Sequence, residues 1–165
     1  MFKDINQSGK QFSNNNEDQP ACALLHSGGT CFGCAIEVVT LETPRYEGHL
    51  TGFRVNREST EAKVLICTGF VTHHRAKKLA QTYQQMNGPK YVIAVGTCAL
   101  SCGVFYDSYN AYGPVDRVIP VDMYIPGCPP RPGAILAGLE KLLMDQGLCV
   151  TNTKEALSSL FRSHN

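Results

Sequence analysis

Tyr91-Val92-Ile93-Ala94-Val95-Gly96-Thr97-Cys98 decides how this chain is read. The apolar residues run on without polar alternation, which describes a strand buried on both faces, as the inner strands of parallel sheets are. Gly96 breaks the run and a cysteine follows at once. In open parallel sheets, ligands gather beyond the carboxyl ends of the strands. A thiol in that place is a candidate ligand.

The pattern repeats on either side. Ala21 to Leu25 suits a first strand, broken by Gly28-Gly29. Gly52 to Asn56 reads as a short edge strand, Lys63 to Cys67 as a buried strand closed by Thr68-Gly69, and Val118 to Val121 as a further strand. Helical patterns alternate with these. Ala35 to Leu41 looks like the opening of a helix, ended by Thr43-Pro44. Thr72 can cap a helix to about Met86, on which Ala76, Leu79, Ala80, Tyr83 and Met86 recur at helical spacing, and Asn87-Gly88-Pro89 stops it. Pro132 suits the first position of a helix to about Gln146, with Ile135, Leu139, Leu142 and Leu143 on one face and Gly147 as the stop. Strand and helix in alternation predict an α/β domain with a mostly parallel sheet. That domain is expected over 21–148, between a polar, asparagine-rich arm at 1–20 and a tail at 149–165.

The length of 165 residues fits one domain. A net charge of +1 gives no electrostatic basis for nucleic-acid binding. Charged residues make up 18%, which is low and suggests that partners cover part of the surface. No apolar run reaches the roughly 18–20 residues that span a bilayer. The opening Met1-Phe-Lys-Asp-Ile-Asn has no signal-peptide core and no twin arginine. The chain is therefore expected to stay in the cytoplasm and to meet a membrane only through partners.

Eight cysteines remain: Cys22, Cys31, Cys34, Cys67, Cys98, Cys102, Cys128 and Cys149. Stable disulfides are unfavourable in a reducing cytoplasm. Four of the thiols stand beside glycine or proline, in Cys31-Phe-Gly-Cys34, Gly96-Thr-Cys98-Ala99 and Gly127-Cys128-Pro129-Pro130. They are expected on three loops, held by backbone turns and not by helix packing. Soft thiolates of this kind select zinc, copper(I) or iron–sulfur clusters. Gly33 leaves backbone N–H groups free to reach cluster sulfurs, and Pro129 and Pro130 stiffen the last loop. A thioredoxin-like redox pair would need only two cysteines and leaves Gly-Cys-Pro-Pro without a role. Structural zinc usually uses two C-x-x-C knuckles, and one is present. Spacing alone leaves zinc and iron–sulfur both open, with iron–sulfur favoured. Cys102 is read as an alternative ligand, a neighbouring thiol or packing. Cys22, Cys67 and Cys149 lie in apolar contexts and are read as core.

These motifs resemble the small-subunit family shared by [NiFe]-hydrogenases and respiratory complex I. The resemblance runs from Cys31-x-Gly-Cys34-x-Ile-Glu37 through Pro44-Arg45-Tyr46, the Thr-Gly-x-Val-Thr of 68–72, Gly96-x-Cys98-Ala99 and the Asp-Arg-Val-Ile-Pro-Val-Asp of 116–122. It continues into Tyr124-Ile-Pro-Gly-Cys128-Pro-Pro130 and covers roughly 21 to 146. It implies a flavodoxin-like domain with iron–sulfur loops at the carboxyl ends of the strands. It also implies one [4Fe–4S] cluster on Cys31, Cys34, Cys98 and Cys128, with Gly33, Glu37, Cys102 and Pro129 close by. No catalytic residue is implied on this chain. The implied partners are a large subunit holding a [NiFe] centre, a ferredoxin-like iron–sulfur subunit and membrane-arm subunits, at the cytoplasmic face of a membrane. Two residues separate the first cysteine pair, as in hydrogenases, whereas the complex I subunit has adjacent cysteines. The chain departs from the family at Glu47-Gly-His-Leu-Thr-Gly-Phe53 and at Ala99-Leu-Ser-Cys102-Gly103, where a double glycine is usual.

Other polar residues carry two readings each. Glu37 is a proton-relay or interface carboxylate, or an acid favoured by a helix start. Arg45 and Tyr46 face the large subunit or form an exposed turn. His73, His74, Arg75, Lys77 and Lys78 are a docking face for an acidic ferredoxin or a solvated helix face. Asp107, Tyr109 and Tyr112 cover the site or touch partners. The rival functions are a quinone- or sulfur-reducing complex related to complex I, a structural zinc module serving assembly, and a soluble redox sensor.

Overall fold

A computed structural model of the chain describes residues 22–29, 31–47, 54–56, 62–88 and 90–145. The elements run β1 (Cys22–Ser27), α1 (Gly33–Thr40), α2 (Pro44–Glu47), β2 (Arg54–Asn56), β3 (Val64–Thr68), β4 (Val71–Thr72) and α3 (His73–Gln85). They continue with β5 (Tyr91–Val95), α4 (Thr97–Ser101), β6 (Ala111–Gly113), β7 (Met123–Ile125) and α5 (Pro132–Asp145). Among the described residues, five strands form one sheet in the order β2-β1-β3-β5-β7, every pair parallel. The chain steps one way from β1 to β2 and the other way through β3, β5 and β7, which is the doubly wound, flavodoxin-like order. The fold class read from the motifs is this one.

The continuous apolar runs have a simple use. Every residue of β3 and β5 is buried. Ile66 and Ile93 face one side, packed with Val38 of α1 and Leu139 of α5; Leu65 and Val92 face the other, packed with Leu79 and Tyr83 of α3. Alternate residues thus feed two cores, and each large side chain so buried contributes about 1.5–3 kcal/mol. Thr72 caps α3 by accepting the Arg75 N–H at 3.3 Å. Met86 ends that helix, and Gly88 follows at φ 76°.

Three local expectations change. Val118 to Val121 is not a strand. A 3-10 turn at Val115–Arg117 precedes it, and the Ile119 N–H donates back to Val115 O at 3.1 Å. Pro120 has no N–H to give a ladder. Pairing starts instead at Asp122, whose N–H donates to Val92 O at 2.9 Å while its Oδ2 accepts the Val92 N–H at 2.8 Å. β7 then follows, one residue later. Pro44 opens the short α2 and is no part of a stop; α1 already ends at Thr40. The two-stranded antiparallel pair β4–β6 has no counterpart in the sequence pattern. The expected arm at 1–20 and tail at 149–165, with Gly52, Phe53, Pro89, Gln146, Gly147 and Cys149, lie outside the described residues. Among the described residues no helix is long and apolar enough to cross a membrane.

Candidate metal centre

The carboxyl end of the sheet carries all four motif cysteines. Cys34 is the second residue of α1 and Cys98 the second residue of α4. Two of the four thiols thus ride the first turns of short helices, which corrects the expectation of three loops without helical support. Cys31 and Cys128 do lie on loops, at the mouth of α1 and between β7 and α5. The reason for the helical placement is the backbone ahead of each pair. Phe32 takes a left-handed φ of 62° and Gly96 a φ of 88°, and each turns the chain straight into a helix. In α1 the backbone N–H of Cys34 favours its sulfur in the charged form, whereas in α4 the N–H groups of Thr97, Ala99 and Leu100 are spent on Gly127 O and Gly96 O. Cys31 and Cys128 are exposed, and Cys34 and Cys98 are half-buried.

Glycines let these segments close on one another. A Cβ on Gly96 would collide with Cys34 Sγ and lie 3.4 Å from Gly127 O. A Cβ on Gly33 would lie 3.5 Å from Cys31 Sγ and 3.8 Å from Pro129 Cγ, and one on Gly103 would lie 3.6 Å from Cys98 Sγ. Backbone bonds tie the Cys98 turn to the Cys128 loop. The Gly96 N–H donates to Ile125 O at 2.8 Å, and Thr97 donates its N–H at 2.8 Å and its hydroxyl at 3.1 Å to Gly127 O.

The sulfurs act on each other electrostatically. Burial pushes the Cys34 thiol up to about 11, aided by Cys98, Cys31 and Cys128, while its own backbone N–H pulls the other way. Burial also raises Cys98, followed by Cys128, Cys31 and Cys102. Burial first and the neighbouring sulfurs second thus oppose ionisation of Cys34 and Cys98, and a cation there would offset both. Among the described residues, no group of three or more His, Cys, Asp or Glu side chains is gathered to hold a single metal ion.

The remaining candidates fall in different places. Glu37 is half-buried on α1, one turn after Cys34. Pro129 is exposed and lies across from Gly33. Cys102 ends α4 at a φ of 64° and is 4% exposed. Burial raises its thiol, Arg117 lowers it and Asp116 raises it again, so it faces those side chains as well as Cys98. Cys67 is core, its thiol driven far up by burial alone. The Cys22 side chain and Cys149 lie outside what is described. Arg45 is exposed, and Tyr46 packs against the core. His73, His74, Arg75, Lys77 and Lys78 are exposed along the first turns of α3. Asp107 is exposed, Tyr109 is 97% exposed, and Tyr112 meets the His73 ring edge-on. Apolar side chains flank the thiols: Phe32, Ile36 and Val39 stand exposed along α1, and Val104 and Tyr106 just past α4.

Two titratable residues stand out only in the folded chain. His26 of β1 has a buried, unpartnered Nε2, and burial, then Arg75 and Lys78, bring it down to about 4. Glu140 of α5 is 3% exposed with Oε1 unpartnered, and burial raises its carboxyl. A lone histidine in the apolar run from Cys22 is a signal the sequence holds; Glu140 sits among the leucines of its helix face.

Comparison with known proteins adds the context. Residues 31–142 match the family described as the NADH ubiquinone oxidoreductase 20 kDa subunit. The chain is 43% identical over 120 residues to a Pyrococcus furiosus protein described as a probable membrane-bound hydrogenase subunit, covering 70% of this chain and 72% of that one. It is 46% identical over 110 residues to a subunit of the NADH-quinone oxidoreductase of Azobacteroides pseudotrichonymphae, covering 66% of this chain and 58% of that relative, so less than two thirds of the relative's length. Among solved structures, a chain of the membrane-bound sulfane sulfur reductase, an archaeal respiratory membrane complex, superposes with a TM-score of 0.62 at 38% identity, covering 74% of this chain and 69% of that one.

Proposed function

The chain belongs to the family of the NADH ubiquinone oxidoreductase 20 kDa subunit, and from that premise we propose that it is the electron-transfer subunit of a membrane-associated hydrogenase, holding one [4Fe–4S] cluster on Cys31, Cys34, Cys98 and Cys128. Its relatives are subunits of oxidoreductase complexes, and it is a subunit of that class. One observation carries the finer reading: four thiols from three segments, coupled electrostatically at one end of the sheet, with Gly96 bare where a side chain would strike Cys34 Sγ. This donor set fits the group, because soft thiolates select iron–sulfur centres, and the Cys34 and Cys98 thiols, raised by burial and by the neighbouring sulfurs, ionise more readily beside a positive centre.

Such a cluster, when bound, supplies one-electron transfer at a potential set by hydrogen bonds and burial. The chain's residues do the rest. The four cysteines bind. Gly96 and Gly33 let backbone come close to the sulfurs. Phe32 and Ile36 stand exposed beside the site, where a covering subunit would exclude water. That apolar α1 face supports a large subunit as its neighbour, proposed to hold a [NiFe] centre. A ferredoxin-like iron–sulfur subunit and membrane-arm subunits complete the assembly, at the cytoplasmic face of the membrane.

The test is metal and activity analysis of the assembly purified without oxygen. Acid-labile sulfide, with iron exceeding it by the [NiFe] iron, and hydrogen evolution from a reduced donor are expected. Zinc without sulfide would replace this reading with the structural module. The 38% likeness to a chain of the sulfane sulfur reductase favours a second reading, the equivalent subunit of a sulfur-reducing complex. That complex would contain the same iron and sulfide, reduce sulfur compounds and evolve no hydrogen.

A further inference from the structure

Along the flank of α3 runs a groove of about 500 Å³, within the range of about 300–1,000 Å³ in which binding sites fall. One wall is a stripe of that helix. His73, Ala76, Lys77, Ala80, Gln81 and Gln84 recur at three- and four-residue steps, while Leu79 and Tyr83 turn into the core. The other wall is Tyr112 of β6, with Arg117 and Val118 at the turn that follows. The alanines, one turn apart, leave the helix flank low. Ala76, Tyr112 and Val118 pack onto the core beneath, so the floor is apolar. The two walls are tied at one end. The His73 N–H donates to Asn110 O at 3.3 Å, and the His73 and Tyr112 rings meet edge-on with centroids 5.5 Å apart.

The polar groups of the groove are of one sign. Two contacts lay Arg117 along β6: Gly113 is bare where a Cβ would strike Arg117 Cδ, and Arg117 Nη1 donates to Tyr112 O at 3.1 Å. Lys77 stands exposed on the facing wall. Among the described lining residues there is no aspartate or glutamate. Asp116, beside Arg117 in sequence, accepts the Tyr124 hydroxyl at 3.3 Å instead. Two cations thus face one space with no carboxylate in it, and a partner that brings one complements them. Gln81 and Gln84, farther along α3, add amides that both donate and accept. From His73 to Gln84 the stripe is about 16 Å long at about 1.5 Å per residue, the reach of about five residues of extended chain at about 3.3 Å each. Extended chain keeps backbone N–H and C=O groups free for the two amides, whereas a helix has spent its own.

We propose that this groove holds an extended, acidic segment of another subunit of the complex. Its carboxylate meets Lys77 and Arg117, a small apolar side chain lies over Ala76 and Ala80, and its backbone bonds Gln81 and Gln84. The proposal rests on the chain being one subunit of a larger assembly, and not on what its cysteines hold. The test treats the purified assembly with a water-soluble carbodiimide, which joins a lysine amine to a carboxylate in contact with it, and locates the joined residues by mass spectrometry. A link from Lys77 to an aspartate or glutamate of another subunit is expected. Arg117→Gln, which removes a charge, and Ala80→Gln, which fills the floor, should each lower the yield of that link several-fold, with iron content unchanged. A link only to a carboxylate of this chain or of a second copy would overturn the proposal, as would a yield indifferent to both substitutions. So would acylation of Lys77 by a soluble amine reagent as complete in the native assembly as in the unfolded chain. A chain that purifies without other subunits would overturn the subunit reading and the proposal together; other subunits present with Lys77 unlinked would overturn the proposal alone.

Discussion

Cys67 and Cys98 belong to the same sheet, the first inside β3 and the second just past the end of β5, yet they live by different physics. Cys67 is 1% exposed, packed among apolar neighbours, and burial alone raises its thiol. Cys98 is half-buried and feels Cys128 and Cys31 as well as burial. In the interior a thiol is a small hydrophobe. At the rim it is one of a set whose members cannot all ionise alone. Position along the strand, and not residue type, separates packing from chemistry.

Serine at each position gives the strongest test of that contrast. Cys98→Ser should remove the signal of one cluster from the paramagnetic spectrum of the reduced assembly while the far-ultraviolet dichroism of the fold persists. Cys67→Ser should keep iron and sulfide and lose about 1–3 kcal/mol in urea unfolding, the cost of a buried hydroxyl without a partner. The opposite pattern would erase the distinction between interior and rim. Gly96→Ala comes next. It adds a methyl group against Cys34 Sγ at a φ of 88°, so the iron proposed for this chain should be mostly lost, again with the sheet intact. Full iron retention would show that the rim tolerates crowding it has no room for.

Leu79→Ala probes the interior in return. Leu79 is fully buried between α3 and the sheet, and its loss should cost about 2–5 kcal/mol in urea unfolding. Iron per folded chain should not change. The smallest effect belongs to Glu140→Gln. Burial raises the Glu140 carboxyl, so the folded state holds its proton more tightly than the unfolded chain does. Stability from this group is therefore complete at low pH and falls as pH rises from the usual carboxylate range through the raised value. The variant should gain about 1 kcal/mol or less at pH 7 and nothing below the usual carboxylate range, as read from thermal unfolding at the two pH values. A gain at both would assign the effect to shape and not to charge.

The same contrast explains what the amino-acid sequence made legible. β3 and β5 were readable because burial on both faces requires uninterrupted apolar residues, and α3 because Thr72 and a 3.6-residue stripe mark it. The four motif cysteines were readable from their glycine and proline neighbours. Less legible were elements set by single long-range contacts. Val118 to Val121 has strand-like residues, but pairing waits for Asp122 to bond Val92 twice, and nothing local announces that. The helical seats of Cys34 and Cys98 depend on positive φ at Phe32 and Gly96, and a phenylalanine there gives no sign of it. β4 and β6 are too short to carry a period.

Among the described residues, both margins of the sheet end in strands of three residues, Arg54–Asn56 and Met123–Ile125. An exposed strand is a template for foreign chains in proportion to the row of backbone groups it offers, and these rows are brief. Edge-to-edge aggregation finds little foothold on either flank.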